Sequence, residues 1–150
     1  MSNTITNKYF GDSDRAIRMY LDRQFSEYGL GGNRFIFFVA IARNPGVSQA
    51  EICHITLFDK AIVARAVAKL EELDYVTRKY LDGNKRRSHL YLTEKGEQLF
   101  DKVANFVTDL NDQVASDMNM QPEELEALAK KYSEIVRAKC IDGRYYDSIG

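Results

Sequence analysis

Two cysteines, two prolines, two histidines and no tryptophan occur in the 150 residues of this chain. Cys53 and Cys140 lie far apart, so neither a disulfide scaffold nor a paired-thiol redox or metal motif is available. His54 and His89 are the only candidates for histidine acid–base chemistry. No glycine-rich phosphate loop, nucleophile elbow or paired-carboxylate motif occurs. The acidic pairs Glu71-Glu72 and Glu123-Glu124 read as solvated helix faces. Cys53 and His54, adjacent on a helix, would point about 100° apart. They make a poor chelate and read as a buried structural thiol beside a polar histidine. No enzyme, no cofactor and no metal site is therefore expected. No apolar run approaches the roughly 20 residues that span a bilayer, and Met1–Asn7 lack the basic-then-apolar order of a secretory leader. A cytoplasmic protein without membrane contact is expected.

With Pro45 and Pro122 the only prolines, and neither repeats nor low-complexity tracts, the chain reads as one domain over residues 1–150. Its residues are 45% hydrophobic and 29% charged, enough for an ordinary core. The net charge of −1 by itself argues against a polyanionic partner, but the charge is segregated. Residues 1–30 and 31–59 are each neutral. Residues 60–95 hold nine basic and five acidic groups, and residues 96–150 hold six basic and eleven acidic ones. A basic middle between neutral and acidic flanks suggests that one face meets an anion.

Ile17, Tyr20, Leu21, Phe25 and Tyr28 recur at helical spacing, predicting a helix from Asp12 or Ser13 to about Tyr28. Gly29, Gly31 and Gly32 end it, and Asn33 is a candidate N-cap for the next. Arg34–Arg43 is apolar nearly all round and reads as a buried central helix, although its length alone also allows a strand. After the turn Asn44-Pro45-Gly46, Ser48 and Glu51 match a capping box for a short helix. Thr56-Leu57-Phe58 breaks it, and Asp59 can cap a third helix to about Leu73. Its inward stripe is Ile62 or Val63, then Val67, Leu70 and Leu73. Its outward face is Lys60, Ala61, Ala64, Arg65 and Ala68.

The period then falls toward two. Val76–Tyr80 and His89–Thr93 read as strands, joined by a hairpin whose Asp-Gly and Gly-Asn pairs favour tight turning. Arg78, Lys79, Lys85, Arg86 and Arg87 crowd it with positive charge. Thr93 can cap a long helix through Leu99, Val103, Phe106, Leu110 and Val114. Pro122 opens a last one with Leu125, Leu128, Tyr132, Ile135 and Val136. The tail from Asp142 is expected to fray.

Capped helix, turn, capped helix and basic hairpin make a winged helix-turn-helix, an α+β fold that is mostly α. A basic helix or a basic hairpin alone is usually only a solvated face; their order is what carries the reading. In such a unit the second helix enters the major groove, where small side chains permit close approach and cations reach guanine acceptors or phosphates. The expected DNA-binding residues are Ser48, Gln49, Lys60, Ala61, Ala64, Arg65 and Lys69, with Lys85, Arg86 and Arg87 on the wing. Arg86 is assigned to the minor groove, whose narrow A·T-rich stretches concentrate negative potential.

The run Asn44–Ile52, then Leu57-Phe58-Asp59-Lys60, Val63–Leu73, and Arg86 with Leu92-Thr93-Glu94-Lys95-Gly96 resembles the MarR family of bacterial regulators over about residues 33–100. The resemblance implies a DNA-binding winged helix at about 33–96 and a homodimer formed by helices at about 12–29 and 97–141. It implies Asp59–Leu73 as recognition helix and 81–87 as wing tip. Two positions depart from the family pattern. Its Asp-x-Arg wing is here Asn84-Lys85-Arg86, with Asn84 or Asp82 left to brace the arginine. Asp74 stands where glycine is common, and aspartate tolerates a left-handed backbone.

The function expected is a homodimeric DNA-binding transcriptional regulator, more a repressor than an activator, that reads a pseudo-palindromic operator in double-stranded DNA. The alternative is a winged-helix protein-interaction module without sequence-specific DNA binding, which would more often expose large apolar anchors. The aromatics from Tyr9 to Phe38 read chiefly as core and dimer interface. In the resembled family a pocket between the dimer helices and the DNA-binding lobe often accepts small aromatic acids. Tyr20, Tyr28, Arg34 and Phe38 are the candidate residues for a small aromatic or amphipathic effector, with Arg15 and Arg18 as neighbouring cations.

Overall fold

The computed structural model describes residues 6–81, 83 and 86–141. Among the described residues six α-helices accompany one small antiparallel ribbon: α1 (Thr6–Phe25), α2 (Arg34–Arg43), α3 (Gln49–Thr56), α4 (Lys60–Glu72), β1 (Val76–Tyr80), β2 (Ser88–Leu92), α5 (Glu94–Asp117) and α6 (Pro122–Cys140). The fold is mostly helical, as the periodicities required, and has the winged helix-turn-helix order.

The apolar segment Arg34–Arg43 is a helix and lies at the centre. It buries Phe37, Phe38, Ala40 and Ile41, and packs against α3, α4, α5 and β2. Phe38 lies edge-on to both Tyr75 and Phe100, and Phe37 is edge-on to Phe58 at 5.2 Å between centroids. Ile52, Val63, Val67, Leu70, Leu90 and Val103 complete the core with almost no exposure. Each such side chain contributes about 1.5–3 kcal/mol by burial. On α4 the core takes Val63, Val67 and Leu70, which settles the choice between Ile62 and Val63; Ile62 and Leu73 are only half-buried.

Three boundaries and one cap differ from expectation, the first being that α1 ends at Phe25 and only a 3-10 turn, Ser26–Tyr28, continues to the predicted end. Helix α1 begins at Thr6, not at Asp12 or Ser13. The Ser13 hydroxyl donates to the Tyr9 carbonyl one turn back instead of capping. Phe10 stacks on Tyr132 of α6, and the Tyr132 hydroxyl donates to Asn7 Oδ1; these contacts outweigh the helix-weakening Gly11. Asn33 does not cap α2. Its backbone is already helical and its side-chain oxygen accepts from Arg18 Nη1. The first amides of α2 bond back to Leu30 and Asn33 carbonyls instead. The second strand is Ser88–Leu92, one residue earlier than predicted, because Thr93 is taken as the cap of α5.

The ribbon pairs Val76 with Leu92, Arg78 with Leu90 and Tyr80 with Ser88. Val47, just before α3, forms a bridge to Leu90. The wing is thereby tied to the start of the helix-turn-helix as well as to its end.

Candidate nucleic-acid interface

Helix α3 starts as the sequence dictates. The Ser48 hydroxyl accepts from the Glu51 amide, while the Glu51 carboxylate accepts from both the Ser48 amide and the Ser48 hydroxyl, each at 2.8 Å. Those bonds hold the Glu51 carboxyl below the usual glutamate range. At the other end Leu57 closes the helix in a left-handed conformation, its amide bonded to the Cys53 carbonyl. Asp59 Oδ1 then accepts from the Ile62 amide at 2.9 Å and starts α4. A cap of this kind stabilises a helix by about 1 kcal/mol.

The predicted outward face of α4 is outward. Lys60, Ala61, Ala64, Arg65 and Ala68 are all exposed, and no large apolar side chain interrupts them. Lys69 is half-buried and pairs with Glu72 at 2.9 Å, a surface ion pair weak enough to exchange for another anion. Ser48 and Gln49 are half-buried at the start of α3, and the Ser48 hydroxyl is committed to its capping box. Arg86 and Arg87 are exposed on the wing. Lys85, and the proposed braces Asn84 and Asp82, lie outside the described residues.

Four anchors went unrecognised in the sequence. Arg78, counted there among the basic residues of the hairpin, is no free cation. Its Nε and Nη2 donate to the two carboxylate oxygens of Glu71, and its Nη1 donates to the Ser88 hydroxyl. The carboxylate beside it raises the guanidinium pKa further. His89 Nδ1 donates to the Gly46 carbonyl at 2.8 Å, holding β2 to the turn before α3. Lys95 Nζ donates to the Leu73 carbonyl, and Thr93 Oγ1 to that of Asp74. Opposite charges on either side of the helix-to-strand turn were the only signal for the first of these.

The four effector candidates do not converge. Phe38 is fully buried in the core. Arg34 Nε donates to the Gly29 carbonyl at 2.6 Å. Tyr28 is half-buried beside Phe25, and Tyr20 is exposed against Phe106. Arg15 and Arg18 are paired with Asp12 and Asp14. A cavity of about 530 Å³ does open between α2, α5 and α6, lined by Phe35, Val39, Phe100 and Val107 with Arg43 and Lys130 among its charged groups. None of the four candidates lines it. Cys53 is buried, and burial pushes its thiol pKa up, away from the reactive thiolate.

No helix among the described residues is long and apolar enough to cross a membrane. The HTH-type transcriptional regulator BilQ of Clostridium symbiosum is 27% identical over 121 residues, covering 81% of this chain and 83% of its own. The crystal structure of the transcriptional regulator SlyA superposes with a TM-score of 0.80 at 22% identity, over 98% of this chain and 100% of that one. A MarR-family regulator from Listeria monocytogenes, crystallised in complex with a 26mer DNA, gives a TM-score of 0.76 at 25% identity, over 93% and 92%. The sequence pattern of the MarR family matches residues 28–88. That segment carries the helix-turn-helix and most of the wing, so over it the chain is similar to the MarR family, and it shares the winged helix-turn-helix fold of these solved structures.

Proposed function

We propose that this protein is a homodimeric transcriptional regulator that binds a pseudo-palindromic operator and acts as a repressor by occupying it. The observation that carries the reading is the exposed face of α4, where Lys60, Ala61, Ala64 and Arg65 stand clear of the core beside the basic wing. Small side chains let the helix backbone approach the major-groove floor, and the two cations reach guanine edges or phosphates. Arg86 and Arg87 extend from the wing toward the adjacent minor groove. The DNA complex of the Listeria relative supports this choice of partner. A protein-binding role for the same surface is disfavoured because the outward face of α4 has no large apolar anchor.

The terminal helices supply the dimer interface. Among the described residues α6 buries no side chain, yet it carries Leu128, Ile135 and Val136 exposed. Phe10, Ile17, Met19 and Tyr20 of α1 are exposed as well. Phe10 and Tyr132 bring the two helices together at one end, and the exposed apolar groups on both are what a second copy would cover. A two-fold axis through it sets two recognition helices to read half-sites about 10–10.5 bp apart.

A small aromatic or amphipathic effector is proposed to occupy the cavity between α2, α5 and α6, where rings meet mixed charges. Selection of bound duplexes from a randomised library, with the mass of protein and complex measured by light scattering, tests the main reading. A two-fold motif bound by a dimer is expected. A monomer, or no enriched motif at low salt, would overturn it.

A further inference from the structure

The hairpin's inward face runs from Val76 and Leu92, through Leu90, to Arg78 and Ser88. Leu90 is fully buried and Val76 nearly so, while beyond Arg78 both Tyr80 and Leu81 are exposed. Apolar packing therefore stops at the Arg78–Leu90 pair. From there outward only a two-stranded ribbon remains, and such a ribbon is marginal by itself. Its direction has to be fixed where it last touches the body of the lobe, and there His89, opposite Lys79, holds the β2 side to the Gly46 carbonyl while Arg78 holds the β1 side.

The hold on β1 is an ion pair of favourable geometry. Arg78 presents two parallel N–H groups to Glu71, at 3.1 and 2.9 Å, with side chains only 24% and 30% exposed. The third arm of the guanidinium reaches Ser88 Oγ at 2.9 Å, diagonally across to the other strand. Glu71 lies in the last turn of α4. One planar group thus joins the recognition helix, β1 and β2. A bidentate pair fixes orientation as well as distance, which a lysine in the same place could not do. The pair is partly desolvated, so solvent screens it less than it screens the Lys69–Glu72 pair nearby.

We infer that Arg78 and Glu71 are positioning residues that set the angle between the recognition helix and the wing, and thereby the registration between major-groove and minor-groove reading. The inference rests on the proposed DNA-binding reading and deepens it. A lever estimate gives the scale. At the end of β1, two residues beyond Arg78, a change of about 10° at the base moves the backbone by about 1 Å, and the displacement grows along the hairpin. Loss of the brace leaves α4 in place, because Val63, Val67 and Leu70 hold it independently. It loosens only the aim of the wing.

The test uses the full chain on a duplex selected by the wild-type protein. Glu71→Gln keeps the shape and removes the charge; the double variant Glu71→Met with Arg78→Met keeps the volume and removes the polar brace, and even a fully buried pair replaced in this way often leaves a protein folded. Guanine N7 methylation reads the major groove, and hydroxyl-radical cleavage reads the minor groove. Protection of the half-site guanines is expected to persist, while protection of the flanking minor groove falls at least threefold. The charge-swapped pair Glu71→Arg with Arg78→Glu should recover part of it. Equal loss at both places, or full flanking protection in the Met–Met variant, would overturn the inference while leaving DNA binding standing. A wild-type protein that protects no duplex would overturn the DNA-binding reading and this inference with it.

Discussion

Gly96 sits so close to the Tyr75 carbonyl that a Cβ added there would overlap the oxygen. This contact explains the string Leu92-Thr93-Glu94-Lys95-Gly96 in physical terms. The Thr93 amide donates to the Tyr75 carbonyl, its hydroxyl accepts from the Gly96 amide and donates to the Asp74 carbonyl, and Lys95 reaches Leu73. The start of α5 is thus bonded to the turn that ends α4. Gly96→Ala must push that turn away. A loss of about 1–3 kcal/mol is expected in urea unfolding, and an unchanged midpoint would show that the turn yields freely.

Asp74 is itself left-handed, at φ 61°, with its side chain exposed. A left-handed backbone strains most L-residues by about 1–2 kcal/mol and aspartate somewhat less. Glycine relieves the strain but returns about 0.4–1 kcal/mol of freedom to the unfolded chain. Asp74→Gly is therefore expected to be near neutral or slightly stabilising, whereas Asp74→Ala is destabilising by about 1 kcal/mol. Thermal midpoints of the two variants should fall on opposite sides of, or at, the wild-type value in that order. The reverse order would refute the account.

Glu51 gives the sign of one pH dependence. Hydrogen bonds from the Ser48 amide and hydroxyl hold its carboxyl below its ordinary value of about 4.5. A depressed carboxylate stabilises the fold above the unfolded-state value, and the benefit is lost as pH falls through the folded-state value. Wild type and Glu51→Gln should therefore differ most at neutral pH and converge as the pH drops below about 4.5. A gap that widened in acid would have the wrong sign.

Much of the fold was legible because local chemistry and burial agreed. Ser48, Asp59 and Thr93 cap the helices that their positions announced, and the small and basic face of α4 is outward as its period requires. The failures share a cause. Asn33 looks like a cap until Arg18, fifteen positions away, takes its side-chain oxygen. Arg78 looks like a wing cation until Glu71 and Ser88 close on it. The start of α1 was misplaced because Phe10 and Tyr132 meet only in three dimensions. Each of these three is a polar or aromatic group whose partner lies on another element, where periodicity carries no information.

The interface assignments separate by what each variant should change. Arg86→Ala is expected to weaken binding by about 1–3 kcal/mol, with the loss concentrated on operators having A·T-rich flanks. Lys60→Ala and Arg65→Ala should instead shift the preferred bases within each half-site. Repeating the duplex selection with each variant distinguishes them. Uniform weakening across all sequences by all three would place α4 outside the major groove.

The effector makes a reciprocal demand. Phe35, Val39, Phe100 and Val107 give the cavity between α2, α5 and α6 an apolar wall, and Arg43 and Lys130 offer cations for a carboxylate. Asp112 and Glu126 also line it, so an amphipathic ligand with both a ring and a donor group fits better than a simple anion. The cavity has one wall on α2 and the other on α5 and α6, so a ligand filling it is expected to bias the angle between the winged-helix lobe and the terminal helices. A ligand that loosens DNA tenfold must bind the free form about 1.4 kcal/mol more tightly than the DNA-bound form, and DNA must weaken the ligand by the same factor. Calorimetric titration of hydroxylated aromatic carboxylates into free and operator-bound protein should show that equality, and Phe35→Ala should abolish the heat without abolishing DNA binding. Saturable binding with identical affinity in both states would leave the cavity a passive gap, and the regulator's signal would have to arrive elsewhere.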